Sequence, residues 1–195
     1  MDFSGEYMIP STKQKVWDAL NDPEVLKQCI DGCEELNKDS DSEFSARVTA
    51  KVGPVRAKFS GKVTLSDIDP PNGYKISGEG QGGVAGFAKG GAAVKLEDSD
   101  GGTKLTYTAE AEVGGKLASV GSRLVEGVAK KTADDFFGKF AEIVSIDSKL
   151  EDTDTKAAQV QQVAEGSSKT SDNSRLFWGV GVAVAIVAIL YTIFG

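Results

Sequence analysis

The sequence predicts an α+β fold in which a curved antiparallel sheet of about six to seven strands surrounds a long C-terminal helix, followed by a linker and one transmembrane helix. Three observations carry this prediction. Apolar and polar residues alternate with period two through much of residues 43–113; apolar residues recur at helical spacing from Leu117 to Val144; and nineteen consecutive residues from Leu176 to Phe194 carry no charge.

Phe3, Gly5, Tyr7 and Ile9 mark a first strand that ends before Pro10. Ser11 with Gln14 forms a capping-box pattern that opens a helix through Val16, Trp17 and Leu20, and Asp22-Pro23 starts a second short helix. The clearest alternation follows. Phe44, Ala46, Val48, Ala50 and Val52 face one way, and Glu43, Ser45, Arg47, Thr49 and Lys51 the other. Past Gly53-Pro54 the pattern resumes with Val55, Ala57, Phe59, Gly61, Val63 and Leu65 inward, which describes a long hairpin with one buried face. Pro70-Pro71-Asn72-Gly73 and Asp98 to Gly102 are turn chemistry, and they separate further strands at Tyr74–Gly80, Phe87–Glu97 and Leu105–Val113. Leu117, Gly121, Leu124, Val128, Ala133, Phe136, Phe137, Phe140 and Val144 then place one apolar stripe along a helix of 28 residues.

This organisation divides the chain into a domain at residues 1–144, a flexible linker at 145–175 and a transmembrane helix at 176–194. The linker has no aromatic residue and few aliphatic ones, so it has little to bury. The uncharged run would cover roughly 28 Å as a helix, enough to span the hydrocarbon core, with Trp178 and Tyr191 near the headgroup levels. Lys169 and Arg175 precede it, which predicts a tail-anchored, single-pass protein of the cell membrane with its N-terminal domain in the cytoplasm.

Composition narrows the function classes. A net charge of −7 argues against nucleic acid as a partner, because phosphate binding needs a basic field. The chain has no histidine and only two cysteines, Cys29 and Cys33, so the commonest acid–base and metal-binding side chain is missing. A lone C-x-x-x-C reads as two small buried residues rather than a metal or redox site. No catalytic residue and no metal site is nominated.

Several segments resemble the G-subunit family of carbon monoxide dehydrogenase, within the START-like (SRPBCC) superfamily, over residues 1 to about 144. They are Ile9-Pro10 with Val16-Trp17 and Leu20-Asn21-Asp22-Pro23; Ile30-Asp31-Gly32-Cys33; Gly78-Glu79-Gly80 through Gly86-Phe87; and Gly115-Lys116-Leu117-Ala118 with Gly121-Ser122-Arg123 leading to Phe136-Phe137. Asp31 stands where the family pattern leads one to expect proline. The resemblance implies a helix-grip fold and an accessory protein working with a molybdenum hydroxylase of the carbon monoxide dehydrogenase type, either recruiting it to the cytoplasmic membrane or serving its electron acceptor.

Independently of that resemblance, Ala46, Ala50, Ala57, Gly61, Gly78, Gly80, Ala88, Gly90 and Ala92 give the inward face of the meander many small residues. Interiors pack to crystal-like density, so something must fill the space above them. Either helix aromatics or a ligand can do so. The expected ligand cavity is lined by Phe59, Tyr74, Phe87 and Tyr107 of the sheet and by Leu117, Gly121, Val125, Phe136, Phe137 and Phe140 of the helix region. With a membrane anchor, its expected occupant is a respiratory quinone such as menaquinone or another lipid; no covalent cofactor is expected.

Gly78 to Gly83 fits G-x-G-x-x-G, but no helix follows it, so a dinucleotide site is not expected. Gly82, Gly83, Val84 and Gly86 instead read as a mobile loop at the cavity mouth. Arg47, Lys51, Arg56, Lys58 and Lys62 form a basic face on the hairpin, open to anionic lipid, to an acidic partner, or simply to solvent. Three function classes result: a quinone carrier between membrane and dehydrogenase, a recruitment adaptor or assembly factor without transport, and, least expected, an enzyme.

Overall fold

A computed structural model describes residues 1–158, with side chains as far as Ser145. Its strands are β1 (Asp2–Ile9), β2 (Cys33–Lys38), β3 (Glu43–Val52), β4 (Val55–Asp69), β5 (Gly73–Gln81), β6 (Phe87–Ser99) and β7 (Gly102–Gly114). Helices α1 (Lys13–Ala19) and α2 (Pro23–Cys29) link β1 to β2, and α3 (Ser122–Ala158) follows β7. The strands form one seven-stranded antiparallel sheet in the order β1-β7-β6-β5-β4-β3-β2. Apart from the β1-to-β2 connection through two helices, every connection is a hairpin between spatial neighbours, as the alternating pattern requires.

Strand β2 is not expected from the sequence. Leu36 is its only fully buried residue, flanked by Glu34, Glu35, Asn37 and Lys38, so it carries almost no alternation. Its position at the sheet edge explains the charge, which discourages pairing with another chain.

The α1 cap differs by one residue from the expected one. Thr12 is the cap, its Oγ1 accepting from the Lys15 amide at 3.4 Å. Ser11 is buried, and its carbonyl accepts from Thr103 Oγ1 at 2.8 Å. Gln14 reaches Asp18 instead of closing a capping box. The α2 cap is as read: Asp22 accepts from the Glu24 amide at 2.8 Å, and Pro23 occupies the first turn, where a missing N–H costs nothing.

Helix α3 begins five residues later than its apolar spacing suggests. Ala118–Val120 make a single 3-10 turn, and Gly121, at φ +91°, breaks the chain direction before Ser122. The helix also continues past Val144, where the apolar stripe ends, to Ala158. Its buried side chains, Val125, Ala129, Ala133, Phe136, Phe137, Phe140 and Val144, follow three- and four-residue steps. The helix packs against α1, α2, β1 and β3, closing the concave side of the sheet. Asp31 ties it down: the carboxylate pairs with Lys139 of α3, and next to it Gly32 lies so close to Thr49 that a Cβ would fall 2.1 Å from the carbonyl oxygen. The expected transmembrane helix lies outside the described residues; among those, no helix is long and apolar enough to cross a membrane.

Candidate ligand site between sheet and helix

Strand register aligns the small residues into a floor. Gly61 pairs with Gly80, and Gly80 with Ala88; one pleat away, Gly78 pairs with Gly90 and Gly90 with Ala111. At these adjacent positions no side chain larger than a methyl rises from the middle of the sheet toward α3. The walls are aromatic. Phe59, Tyr74, Tyr107, Leu117, Val125, Phe136, Phe137 and Phe140 all belong to one buried cluster, so the structure brings together eight of the ten residues proposed to line the cavity. Tyr7 stacks on Phe137 with ring centres 4.2 Å apart, Phe136 meets Phe137 edge-on at 5.1 Å, and Trp17 meets Tyr74 edge-on at 5.4 Å.

The other two lie elsewhere. Phe87 has the outward parity of β6 and is half-buried, its ring lying over Gly114, where a Cβ would fall 2.2 Å from it. Gly121 is exposed at the head of α3, and a Cβ there would meet no atom within 4 Å. Helical spacing placed Gly121 on the core stripe; its left-handed backbone takes it off that stripe.

The glycine-rich segment is divided between a strand and a short connection. Gly78 to Gln81 belong to β5, which leaves only Gly82–Gly86 as the connection. Gly82 donates to the Gly86 carbonyl at 2.8 Å, and the Leu117 amide donates to Ala85 at 3.1 Å, stitching this connection to the segment ahead of α3. Close approach makes glycine obligatory here: at Gly86, φ is +117° and a Cβ would lie 2.0 Å from the Gly114 carbonyl oxygen. Gly82 rests against the Phe59 ring, while Val84 projects outward, 85% exposed.

Polar groups in this interior are few. Tyr7 donates to Asp134 at 2.8 Å; burial, reinforced by that bond, raises its phenol well above the ordinary range. Burial likewise raises Tyr107. Trp17 is fully buried, and its Nε1–H finds no acceptor among the described residues. Neither Tyr7 nor Trp17 was proposed as a lining residue, because at the sequence level each is one apolar position of a strand or helix. Burial pushes the Cys29 thiol up to about 12 and raises Cys33 as well, so both stay protonated at neutral pH.

On the outer face, Arg47, Lys51, Arg56, Lys58 and Lys62 are all exposed. Arg47 pairs with Glu35 at 3.0 Å and Lys58 with Glu34 at 2.9 Å; the Lys58 and Thr49 hydrogen bonds hold the Glu34 carboxyl below its ordinary range. The same face carries a groove of about 850 Å³ bordered by Lys62, Glu79, Lys89, Glu110 and Glu112 together with Met1, Gly78, Gly90 and Ala111, a lining of mixed polar and apolar character.

The family model described as the G subunit of carbon monoxide dehydrogenase (CoxG) matches residues 5–145. The chain belongs to that family. Among solved structures, a conserved protein from Geobacillus kaustophilus is 35% identical with a TM-score of 0.70, covering 74% of this chain and 95% of its own. A protein from Rhizobium leguminosarum (17% identical, TM-score 0.58, 74% of this chain and 94% of its own) and one from Thermus thermophilus (16%, 0.57, 76% and 99%) share the fold. No curated protein matches the chain in sequence. As a member of the CoxG family with an open seven-stranded sheet and a C-terminal helix, it is assigned an accessory role for carbon monoxide dehydrogenase.

Proposed function

We propose that this protein is a membrane-anchored, non-enzymatic carrier that holds a lipid-soluble ligand, a respiratory quinone such as menaquinone, between sheet and α3 and delivers it between the cytoplasmic membrane and a molybdenum carbon monoxide dehydrogenase. The observation that carries the reading is the floor of the sheet, where Gly61, Gly80, Ala88, Gly78, Gly90 and Ala111 are contiguous across β4 to β7. A floor with no side chain larger than a methyl, on the face covered by a helix that contacts β1 and β3, suits an occupant with large apolar area. A quinone fits better than a plain acyl chain because the Trp17 Nε1–H has no acceptor among the described residues, and a buried donor left unpaired costs about 1–3 kcal/mol. A quinone carbonyl is such an acceptor.

Carriage also answers an energetic problem. Each CH₂ moved from lipid to water costs about 0.8 kcal/mol, so a polyprenyl tail does not leave the bilayer for a cytoplasmic enzyme without an apolar shelter. The alternative reading, a recruitment adaptor or assembly factor, needs the same anchor and the same partner but no ligand.

Organic extraction of the purified chain, followed by mass spectrometry, tests the proposal. The parent is expected to release quinone in near-stoichiometric amount, and Trp17→Phe several-fold less with the fold retained by circular dichroism. A parent that releases no quinone leaves the adaptor.

A further inference from the structure

We propose that the domain docks on an anionic bilayer through the end of the sheet formed by the β3–β4 turn, the β5–β6 connection and the β7-to-α3 segment. This rests on the membrane reading above and adds to it which surface faces the lipid. In an antiparallel sheet of this order the three segments are at one end, and the turns β2–β3, β4–β5 and β6–β7 at the other. Residues 51–56, 81–87 and 114–124 contain Lys51, Arg56, Lys116 and Arg123 and no acidic residue, although the chain as a whole carries a net charge of −7. All four are exposed, and among the described residues none has an ion-pair partner.

Within this basic collar stand two of the exposed large apolar side chains, Val84 at 85% and Leu124 at 42%. Leu124 lies over the hairpin tip, where a Cβ on Gly53 would come within 2.7 Å of it, so the tip and the first turn of α3 form one surface. The opposite end has the reverse charge: Asp39, Asp41, Glu43, Asp67, Asp69, Asp98 and Asp100 crowd its turns, and although Lys38, Lys75 and Lys13 pair with Asp41, Asp67 and Asp98, the acids outnumber them. An anionic surface therefore attracts one end and repels the other, and apolar side chains at the attracted end can enter the headgroup layer. A basic collar around an apolar tip matches phospholipid, which offers both an anionic surface and an apolar layer.

The tether allows this pose. Helix α3 rises about 55 Å from Ser122 to Ala158. The 17 residues between Ala158 and Leu176 reach about 60 Å when extended, enough to return to the same plane.

The test uses the full chain with Cys29→Ala and Cys33→Ala, carrying Val84→Cys or Ser99→Cys labelled with a polarity-sensitive fluorophore. Each is reconstituted in phosphatidylcholine vesicles with or without phosphatidylglycerol and exposed to lipid-borne quenchers. With phosphatidylglycerol the label at position 84 should be quenched and the label at 99 should not. Added salt should reverse the quenching, as should Lys51→Glu, Arg56→Glu, Lys116→Glu and Arg123→Glu together, with a loss of about tenfold or more in the docked population. The salt arm needs no substitution in the collar, so misfolding of the reversed variant cannot imitate the result. A position-84 label as aqueous as that at 99, quenching at 99 instead, or quenching indifferent to salt and charge reversal overturns the inference. Extraction of the same samples keeps the two readings apart. Quinone carried while position 84 stays aqueous removes the docking surface and leaves the carrier; quinone absent while position 84 is quenched does the opposite.

Discussion

At the scale of single residues, the interior is defined by what burial does to ionisable side chains. Cys29 is 2% exposed, and its thiol is pushed up to about 12 from an ordinary value of 9.0. The folded state therefore holds this proton more tightly than the unfolded state does. A raised folded pKa stabilises the protein fully below the unfolded value, and that contribution is lost as pH climbs toward the folded one. Between about pH 9 and 12 the loss approaches 1.4 kcal/mol per pH unit from this group. Tyr7 and Tyr107 shift in the same direction and add to the alkaline decline. Subtracting a Cys29→Ala variant isolates the thiol. Denaturant midpoints under reducing conditions should show the parent losing its advantage over the variant as pH passes 9, with the difference flat between pH 6 and 8. A difference equally flat from pH 8 to 11 would mean that the thiol is solvated.

At the scale of elements, the connection Gly82–Gly86 links β5 and β6 and also positions α3. Its Ala85 carbonyl accepts from the Leu117 amide, and Gly86 touches Gly114 and Gly115 backbone to backbone. Gly86→Ala adds a methyl 2.0 Å from a carbonyl oxygen at φ +117°, so strand and helix approach must separate. The variant should lose about 1–3 kcal/mol in urea unfolding and exchange its Leu117 amide faster in hydrogen exchange. The same substitution at Gly83, where a Cβ meets nothing within 4 Å, is the control and carries only the strain of φ +59°. These elements also show what the sequence makes legible. Strands β3 to β7 announce themselves because each alternates over nine or more residues with one face buried. Strand β2 does not, since an edge strand with one buried leucine has no period to read. The start of α3 was misplaced for a related reason: apolar spacing reports which residues face the core, and Leu117 is buried without belonging to the helix. A backbone break such as that at Gly121, with φ at +91°, leaves no mark in the apolar spacing.

At the scale of the whole molecule, the aromatic wall was legible because the phenylalanines of α3 share one face, and the floor because inward parity is fixed once the hairpin register is known. Phe87 is the exception that the same rule corrects: with Ala88, Gly90 and Ala92 inward, period two puts Phe87 on the outer face, where the structure has it. The floor now offers a test that separates carrier from adaptor by stability and transport together. Ala88 is 5% exposed in the Gly61–Gly80–Ala88 row, on the buried face of the sheet. If the space above it is already filled by protein side chains, Ala88→Leu overpacks the core and costs about 1–3 kcal/mol. If the space belongs to a ligand, the added side chain enters volume that the protein does not use. The ligand-free protein is then destabilised by less than about 1 kcal/mol, and quinone is excluded. The carrier reading predicts the second result: a nearly unchanged urea midpoint after lipid extraction, unchanged co-purification with the dehydrogenase, and quinone reduction by the pair reduced at least tenfold. A variant that overpacks, still binds the dehydrogenase and supports reduction as fast as the parent would show that the aromatics own the interior and that the protein serves its partner by holding it at the membrane.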